Sequence, residues 1–339
     1  MPERHEHVVG ADEAGQRLDV LLASLPEFPS RTSAKKAAEN CEVSVNGEVS
    51  GKKRLVREGD VVEYTPPELV LEEADLSPYD LDLDVRYEDE GMLVISKPAG
   101  LVCHPSPGHN GDTLVNALIA HCGEDHLANL QGEDRLGIVH RLDMDTSGLM
   151  LAAKDQEYGY ILQDGIRTRN IDRRYLCLVH GYIAKDTGCI DVPIARHPKM
   201  RLKMTVSNSR SARSAVTTFS VLERFDAGAA DDGFTLIECK LFSGRTHQIR
   251  VHMNYIGHCV VGDQMYGRGN KKANLGLGRQ FLHSYRLNLE HPITGEPMEF
   301  VDNLPEDLQQ ALDGLSDRSL GKTGYGEEIA GLLATAREG

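Results

Sequence analysis

The sequence of 339 residues predicts an α+β protein with more than one folded part. Three observations support this class. Short apolar runs of strand length recur along the chain, they do not alternate regularly with helical segments, and an acidic stretch poor in apolar residues separates a small N-terminal part from the rest. An all-parallel sheet would require regular alternation, so a mixed arrangement of helices and strands is expected.

The first part covers residues 1–66. Its predicted elements are, in order, amphipathic helices at 16–25 and 30–39 and strands at 43–45 and 61–64. The second helix carries the cations Arg31, Lys35 and Lys36. Asn46-Gly47 after the first strand is a strong hairpin signal. Residues 67–84 are acidic and interrupted by prolines, and we predict a linker there.

The larger part covers residues 85–305 and is predicted to be rich in strands. The expected elements are a helix at 113–121 and strands at 92–95, 149–153, 175–180, 215–222, 234–241 and 281–289. From residue 306 to 339 the sequence is Gly-rich and mildly acidic. We predict a C-terminal tail there, with one apolar helical turn at 329–333.

Composition excludes several classes of protein. No segment reaches the ~18 consecutive apolar residues of a membrane span, and the charged N-terminus MPERHEHVVG has no secretory character, so we expect a cytoplasmic protein without a membrane partner. The seven cysteines are scattered and form no CxxC pair, which argues against a disulfide framework and a thiolate zinc site. No metal site is predicted, although a metal-dependent hydrolase that uses the histidines between His104 and His140 is an alternative.

The formal net charge of −15 argues against a polyanionic partner, but its distribution does not. Ten acidic residues and one arginine lie between Pro66 and Met92, whereas eleven cations and three acids lie between Arg167 and Arg213. Nucleic-acid contact depends on the local field within a Debye length, about 8 Å at physiological salt. The second segment is therefore a candidate nucleic-acid surface, with a merely solvated basic face as the alternative.

A dense polar cluster, His140-Arg141-Leu142-Asp143-Met144-Asp145-Thr146-Ser147-Gly148, lies between two apolar runs. The runs predict that the chain enters and leaves a core, and the Asp, Thr, Ser and Gly residues suit a turn. A carboxylate presented there is a candidate nucleophile, base or metal ligand. For the tetrapeptide HRLD alone, an ion pair of Arg141 with Asp143 or Asp145 beside a turn is the simpler interpretation.

Two further clusters add candidates. In the segment GRTHQIRVH at 244–252, a helix beginning near Thr246 would bring Arg250 to a cleft as a partner for Asp143. Arg173-Arg174-Tyr175 opens another strand, where a tyrosine beside arginines is a candidate platform for a nucleobase. The alternatives are a capped, solvated helix and an ordinary core tyrosine.

Together these clusters resemble the three motifs of the RluA-type RNA pseudouridine synthases. The matching segments, in the order of the family, are KPAGL at 97–101, HRLDMDTSG at 140–148, RRYLCLV at 173–179, GRTHQIRVH at 244–252, Gly262-Asp263, Tyr266-Gly267, Leu282-His283 and HPITGE at 291–296. The resemblance spans residues 85–304. Residues 1–66 resemble an S4 RNA-binding domain, as in the RluD-like large-subunit rRNA enzymes of the family. Met144 and Cys259 depart from the family pattern.

The resemblance implies a pseudouridine synthase fold, with a central mixed, mainly antiparallel sheet and flanking helices. It implies that Asp143 is the nucleophile, that Arg250 pairs with it, and that Tyr175 stacks on a flipped uracil, with removal of the C5 proton as a second role. Arg141 would fill the space that the flipped nucleotide leaves. The implied RNA-binding residues are His140, Arg141, Thr146, Arg173, Arg174, Arg245, His247, Gln248, Arg31, Lys35 and Lys36.

The implied function is isomerisation of specific uridines in structured RNA, with 23S rRNA favoured and tRNA as the alternative. Because this reaction is redox-neutral and needs no group donor, no cofactor is expected. The expected partner is RNA, bound by a monomer that contacts pre-ribosomal particles transiently. A catalytically inactive RNA-binding factor for ribosome assembly is the alternative from another functional class.

Overall fold

The computed structural model describes residues 4–25, 27–28, 31–40, 42–66, 74–106, 108–200, 202–229, 231–267 and 271–338. The chain divides into two compact units, Met1–Glu73 and Ala74–Gly339, here termed the N-terminal and C-terminal units. The division lies inside the acidic segment 67–84. Residues 67–73 of that segment are outside the described part of the chain.

The N-terminal unit packs two helices on a small antiparallel sheet. Its elements are β1 His5–Val8, α1 Leu18–Leu22, α2 Arg31–Glu39, β2 Val43–Val45, β3 Glu48–Val49 and β4 Val61–Tyr64. The strand order is β1-β4-β2-β3, and each pair is antiparallel. Asn46 and Gly47 have positive φ values of 54° and 79°, as the tight turn between β2 and β3 requires.

Helix α1 is shorter than the sequence predicts. It ends at Leu22, and the hydroxyl of Ser24 donates to the carbonyl of Leu21 (2.6 Å) in its last turn. Pro26 follows and has no backbone N–H with which to continue the helix. The apolar face is nevertheless as expected, because Leu18, Leu21 and Leu22 are buried in the core of the unit.

The C-terminal unit contains the long sheet. Its helices are α3 Leu114–Cys122, α4 Gln156–Thr168, α5 Gln248–Tyr255, α6 Glu306–Asp313 and α7 Gly324–Glu338, with short 3₁₀ helices at Glu124–His126, Glu133–Arg135, Lys271–Asn274 and Ser316–Arg318. Its strands are β5 Asp84–Glu88, β6 Met92–Lys97, β7 Ser147–Ala153, β8 Asp172–His180, β9 Thr187–Asp191, β10 Ile194–Arg196, β11 Met204–Val206, β12 Val216–Phe225, β13 Phe234–Leu241, β14 Leu282–Glu290, β15 Pro297–Val301 and β16 Ser319–Lys322. Among the described residues, no helix is both long enough and apolar enough to span a bilayer.

Ten strands of the described chain form one mixed sheet. The order is β16-β12-β13-β8-β14-β7-β6-β5, with β15 beside β14 and β9 beside β12. β14 and β7 are parallel, whereas the other paired strands are antiparallel. β10 and β11 form a separate antiparallel hairpin. The predicted α+β class with a mixed, mainly antiparallel sheet is thus confirmed.

Helices cover both faces of the sheet. Leu93 and Ile95 of β6 belong to the core that includes α3, whereas Met92 and Val94 belong to the opposite core, which includes Leu162 of α4. Successive residues of a strand point to opposite faces, so a strand covered on both faces is apolar at every position. This explains why the first four residues of β6, 92–95, are a continuous apolar run and not an alternating one.

Residues 306–338 do not form the tail that the sequence predicts. Leu308 of α6, Leu315 and Ile329 of α7 are buried in the core of the sheet. Strand β16 extends the sheet by pairing with β12. The buried apolar residues of this segment are few and far apart, so its average composition resembles that of a tail although it is a packed part of the C-terminal unit.

Candidate active site

Residues 140–147, termed here the Asp143 loop, lead into β7. The backbone N–H of Thr146 donates to the carbonyl of Asp143 (3.0 Å), which closes a tight turn. Gly148 is required where the loop meets the sheet, because its φ is 109° and a Cβ there would lie 2.3 Å from the carbonyl oxygen of Ser284 in the parallel strand β14. The close approach of β7 and β14 therefore fixes the point at which the loop joins the sheet.

Asp143 and Arg250 form an ion pair at the centre of a pocket. Nη1 of Arg250 donates to Oδ2 of Asp143 across 2.9 Å. Nε and Nη2 of the same arginine donate to the carboxylate of Asp263, across 2.7 and 3.0 Å. The side chains of Asp143, Arg250 and Asp263 are 15%, 7% and 0% exposed. One arginine thus bridges two carboxylates.

The charges of Arg250 and Asp263 stabilise each other in this buried setting. Burial alone would lower the pKa of Arg250, but its bonds to Asp263 and Asp143 raise that pKa above the ordinary value. Burial also opposes ionisation of Asp263, yet the bonds from Arg250 and from the backbone N–H groups of Met265 and Tyr266 hold its pKa below the ordinary value. Both groups are therefore charged at neutral pH, and the guanidinium orients the Asp143 carboxylate.

The second carboxylate oxygen of Asp143 faces the pocket. Its neighbour there is Nε2 of His247, at 4.0 Å. The pocket is lined by Arg141, Leu142, Asp143, Thr146, Arg173, Tyr175, Leu241, Gly244, Arg245, Thr246, His247, Gln248, Ile249, Arg250 and Leu282. Asp143, Tyr175 and Arg250, the three residues that the sequence predicts to be catalytic, are therefore brought together.

Helix α5 begins two residues later than the sequence predicts. His247 precedes it with a left-handed φ of 56°, and its carbonyl accepts the backbone N–H of Val251 (2.9 Å). Thr246 therefore lies before the helix. Arg250 is in the first turn, which still directs its side chain to Asp143.

His247 is held at the pocket by Tyr266. Nδ1 of His247 and the hydroxyl of Tyr266 are 2.8 Å apart. The same hydroxyl accepts a hydrogen bond from the backbone N–H of Met204 in β11 (2.7 Å). Burial lowers the pKa of His247, against the opposing effect of Asp143, so the imidazole is mostly neutral at pH 7.

Arg173 and Tyr175 project from β8 into the pocket, whereas Arg174 projects to the other face. Alternate residues of a strand point to opposite faces, and Arg174 is absent from the pocket lining. Its guanidinium donates to Glu238 (2.7 Å) and to the hydroxyl of Tyr325 (2.9 Å). The structure thus gives Arg174 contacts within the protein and places it outside the pocket, and its predicted RNA contact stays a prediction.

Tyr175 is buried beside Asp143. Burial raises the pKa of its phenol, while the charge of Arg173 and a hydrogen bond with Ser284 oppose the rise. The phenol is therefore neutral at pH 7. A neutral aromatic side chain on the pocket wall suits stacking better than proton removal.

His140 is the first residue of the Asp143 loop and does not line the pocket. Its Nε2 accepts a hydrogen bond from the backbone N–H of Leu151 in β7 (3.0 Å). Burial, with an added effect of Arg173, lowers the pKa of His140 to about 3, so the imidazole remains neutral. The structure thus shows a contact of His140 within the protein, and its predicted RNA contact stays a prediction.

Gln248 and Thr146 line the pocket but are occupied by contacts within the protein. The amide of Gln248 makes four hydrogen bonds of 2.8–3.0 Å, with Val216, Thr217, Ser243 and Arg245. The hydroxyl of Thr146 accepts from the amide of Gln280 (3.1 Å). These bonds shape the pocket, and the predicted RNA contacts of Gln248 and Thr146 stay predictions.

Arg141 and Arg245 are the predicted RNA-binding cations that lie at the opening of the pocket. Arg141 is exposed, and its Nη1 is 3.4 Å from Nε2 of His104. Arg245 is half-buried, and its Nε donates to the carbonyl of Ser214 (3.1 Å). Neither forms an ion pair within the described chain, so both guanidinium groups are available to an anion.

The basic helix α2 of the N-terminal unit is present as the sequence predicts. Lys35 is exposed on it. The side chains of Arg31 and Lys36 lie outside the described part, so their predicted RNA contacts remain predictions.

Lys97 supports the Asp143 loop and has no role in the sequence prediction. Its Nζ donates to the carbonyls of Pro98 (2.7 Å), Leu101 (2.9 Å) and Met144 (2.9 Å). The residue is 1% exposed, and burial lowers its pKa to about 8. A lysine at the end of an apolar strand, directly before Pro98, was the signal in the sequence.

Residues before and in β14 hold the other end of the Asp143 loop. Arg279 donates to the carbonyl of Asp145 (3.1 Å), and Nδ1 of His283 bonds with the hydroxyl of Ser147 (3.0 Å). Arg279 also forms a two-point ion pair with Asp307 of α6, across 2.6 and 2.8 Å. The C-terminal segment is thereby joined to the loop that presents Asp143.

Glu88, His121 and Cys122 form the one group of metal-ligating side chains found among the described residues, with ligand atoms within 4.8 Å of one another. Glu88 is already paired with Lys154 across 2.7 Å. None of the three lines the Asp143 pocket. This group is therefore separate from the candidate active site.

Comparison with known proteins gives the family of the chain. The model of a family described as RNA pseudouridylate synthase matches residues 91–255, and that of the S4 domain matches residues 16–62. The Bacillus subtilis (strain 168) protein named Uncharacterized RNA pseudouridine synthase YlyB is 42% identical over 304 residues, 90% of this chain and 95% of that protein. Ribosomal large subunit pseudouridine synthase D of Pseudomonas aeruginosa is 41% identical over 311 residues, 87% of this chain and 90% of that protein.

Solved structures share the fold. Human RNA Pseudouridylate Synthase Domain Containing 4 matches with a TM-score of 0.50 at 26% identity, covering 68% of this chain and 92% of that one. Human RNA Pseudouridylate Synthase Domain Containing 1 matches with a TM-score of 0.56 at 23% identity, covering 75% of this chain and 95% of that one. This second match shows a shared fold alone. The predicted family and S4 domain are confirmed. The chain therefore belongs to the family of RNA pseudouridine synthases, and it is an enzyme of that family with an S4 domain.

Proposed function

We propose that this enzyme isomerises specific uridines of 23S rRNA to pseudouridine, with Asp143 as the nucleophile. The observation that carries the proposal is the placement of Asp143, with one carboxylate oxygen bound by Arg250 and the other facing a pocket that Tyr175 also lines. A carboxylate oxygen of Asp143 bonds to C1′ as the C1′–N1 bond of uridine breaks, the uracil rotates, and the C1′–O bond breaks as the C1′–C5 bond forms. The reaction needs a charged oxygen beside the ribose and a surface that holds the detached base.

Asp143 suits this role by position. Arg250 fixes the carboxylate, and the pocket-facing oxygen makes no hydrogen bond with the described residues. A stacked nucleotide would keep its C1′ out of reach, so the uridine has to be flipped out of the RNA, at a cost of a few kcal/mol. Once flipped, it meets a carboxylate that is already oriented, which removes the entropic cost of finding the reactive geometry.

Tyr175 is proposed to stack on the flipped uracil. Preparing a phenolate at pH 7 costs roughly 4 kcal/mol even for a tyrosine of ordinary pKa near 10. Burial raises the pKa of Tyr175 further. We therefore assign this residue to positioning the base, and proton removal from C5 to another group.

The RNA is proposed to bind along the cations around the pocket and on the S4 domain. Arg141 and Arg245 lie at the opening. The β10–β11 hairpin adds Lys199 and Lys203, and its backbone is tied to the site through the bond from Met204 to the Tyr266 hydroxyl. Contacts of these cations with phosphates offset the cost of flipping the nucleotide.

The rRNA target is supported by relatives. Three proteins named as large-ribosomal-subunit pseudouridine synthases are 39–41% identical to this chain over 87–92% of its length. We propose the same class of target here, with 23S rRNA as the molecule. A tRNA target is the alternative within the same chemistry.

Mapping of pseudouridine at nucleotide resolution in rRNA and tRNA tests the proposal. A strain that lacks the gene is complemented with the wild type, with Asp143→Ala or with Asp145→Asn. Asp145 is the matched control because it lies in the same loop and does not line the pocket. We expect particular 23S rRNA sites to vanish on deletion and to return with the wild type and Asp145→Asn, but not with Asp143→Ala.

Other outcomes contradict distinct parts of the proposal. Restoration of the sites by Asp143→Ala would exclude Asp143 as the nucleophile. Loss of pseudouridines from tRNA alone would show that tRNA, and not 23S rRNA, is the target. An unchanged pseudouridine map after deletion would refute the isomerase function and favour an inactive RNA-binding assembly factor.

A further inference from the structure

Arg173 is a buried cation whose side chain has no acceptor among the described residues. It is 4% exposed. In the part of the chain that the structure describes, its Nε is buried without an acceptor and its guanidinium forms no ion pair. A buried charge is strongly unfavourable unless an opposite charge or several hydrogen bonds compensate it.

Two other arginines of the unit, the half-buried Arg174 and the buried Arg250, are fully engaged. Arg174, the next residue in β8, is bonded to Glu238 and to the hydroxyl of Tyr325. Arg250 is bonded to both Asp143 and Asp263. The fold thus supplies acceptors to the arginines that have a structural role. The acceptor for Arg173 is therefore expected to come from a bound molecule.

The guanidinium of Arg173 lies on the wall of the Asp143 pocket. Arg173 lines this pocket with Gly244, and a Cβ on Gly244 would lie 3.6 Å from Nη1 and 4.0 Å from Nη2 of the arginine. Tyr175, Leu241 and Leu282 give the same pocket flat and apolar surfaces. A buried cation beside these surfaces fits a planar ring with carbonyl oxygens better than it fits a phosphodiester, for which Arg141 and Arg245 are the more exposed cations of the pocket.

We propose that Arg173 is a catalytic residue that donates hydrogen bonds to a carbonyl oxygen of the flipped uracil and stabilises the negative charge that the ring gains when the C1′–N1 bond breaks. This inference rests on the proposed function. When that bond breaks, its electron pair stays with the uracil and is shared by N1 and the carbonyl oxygens. The ring then supplies an electron pair from C5 to form the C1′–C5 bond. It loses the proton of C5 and gains a proton at N1, so the number of protons on the uracil does not change.

The charge on the ring is largest while the base is detached from the ribose. A buried guanidinium on the pocket wall therefore stabilises the transition states of bond cleavage and bond formation more than it stabilises the bound uridine. The same charge develops whether Asp143 attacks C1′ or a base removes the C2′ proton of the ribose. The role of Arg173 is thus independent of the route by which the glycosidic bond is opened.

Single-turnover formation of pseudouridine in a 23S rRNA transcript by the full-length protein tests this role. We expect Arg173→Met to lower the rate constant at saturating RNA about a hundredfold, and Arg173→Lys to lower it less. The Kd for the transcript should change by less than about threefold, because the cation acts after the base has entered the pocket. Millimolar guanidinium should restore part of the rate of Arg173→Ala.

Stability separates this role from a structural one. Arg173→Met replaces an unpaired buried charge by an apolar chain of similar length, so its Tm should equal or exceed that of the wild type. Arg286→Met is the matched control, since Arg286 lies on the neighbouring strand β14, is paired with Glu299 and does not line the pocket. We expect the control to turn over at the wild-type rate.

A wild-type rate in Arg173→Met overturns the inference, and so does a variant that only weakens RNA binding, which would identify Arg173 as a phosphate contact. A lowered Tm in Arg173→Met without rescue of Arg173→Ala by guanidinium would assign the residue to structure and overturn the inference as well. If the wild type forms no pseudouridine, the proposed function fails and the inference fails with it. Wild-type turnover with an equally fast Arg173→Met contradicts the inference alone.

Discussion

Nη1 of Arg250 and Oδ2 of Asp143 lie 2.9 Å apart, although 107 positions separate the two residues in the sequence. The same guanidinium makes two bonds to Asp263, which does not line the pocket. The orientation of the proposed nucleophile therefore depends on a carboxylate that never meets the substrate.

Asp263→Asn should destabilise the protein and slow the reaction. The carboxylate of Asp263 accepts two bonds from Arg250 and one each from the backbone N–H groups of Met265 and Tyr266. An amide cannot accept all of them, and it leaves Arg250 with one carboxylate. We expect the free energy of unfolding in urea to fall by about 3 kcal/mol and the single-turnover rate to fall at least tenfold.

Asp231→Asn is a suitable control for this change. Asp231 also pairs with an arginine, Arg318, but at a partly exposed site in the turn before β13. It should alter stability less, and it should leave the rate unchanged. An Asp263→Asn variant with wild-type stability and rate would contradict the bridging role of Arg250.

Lys97 should make the enzyme sensitive to alkaline pH. Burial lowers its pKa from 10.5 to about 8, so the folded protein releases this proton near pH 8 whereas the unfolded chain keeps it to about pH 10.5. Above pH 8 the neutral amine donates two hydrogen bonds in place of three to the carbonyls around the Asp143 loop. The single-turnover rate should therefore fall as the pH rises through about 8.

The effect on stability has the opposite sign. Between pH 8 and 10.5 the unfolded chain binds more protons than the folded protein, so the contribution of Lys97 to the free energy of unfolding rises with pH in this window. Urea denaturation at pH 7 and pH 9.5 measures it. Lys97→Met should lose both the alkaline fall in rate and this contribution. An identical pH profile in wild type and Lys97→Met would refute the assignment.

Local sequence patterns predict most strands of the C-terminal unit, and they fail where the pattern is interrupted. β13 has the predicted bounds because apolar residues recur along its whole length, from Phe234 to Leu241. α4 is absent from the prediction although Asp155 caps it by accepting from the backbone N–H groups of Glu157 and Tyr158. Gly159 and Gly165 interrupt the helical pattern, and packing against the sheet stabilises the helix in spite of them.

The motifs predict the residues of the pocket better than the contacts that hold them. Asp143, Tyr175 and Arg250 lie in dense polar clusters that a sequence displays directly. The opposite orientation of Arg174 follows from its position next to Tyr175 in a strand, so alternation alone could have excluded it from the pocket. The bond from Arg279 to Asp307 depends on tertiary packing, and no local pattern signals it.

Asp307→Asn should lower the rate without weakening RNA binding. Asp307 holds Arg279 through two hydrogen bonds, and Arg279 in turn donates to the carbonyl of Asp145 in the Asp143 loop. A looser loop presents Asp143 less accurately, so we expect a three- to tenfold lower single-turnover rate at saturating RNA. Glu306→Gln is the control, because Glu306 is the preceding residue and bonds only to Gln310 within the described chain. Equal rates for the two variants would separate α6 from the active site.

Arg174→Met should lower the stability without weakening RNA binding, whereas Arg141→Met should weaken RNA binding without lowering the stability. Arg174→Met leaves Glu238 buried with hydroxyl donors alone, so the free energy of unfolding should fall by about 3 kcal/mol while the Kd for RNA is unchanged. Arg141 is exposed at the opening of the pocket, so Arg141→Met should keep the stability, weaken RNA binding and reduce the slope of log Kd against log salt by about 1. Urea denaturation and RNA titrations at several salt concentrations measure both. Weaker RNA binding by a folded Arg174→Met variant would contradict this expectation. It would show that Arg174 contacts the RNA although its side chain points away from the pocket.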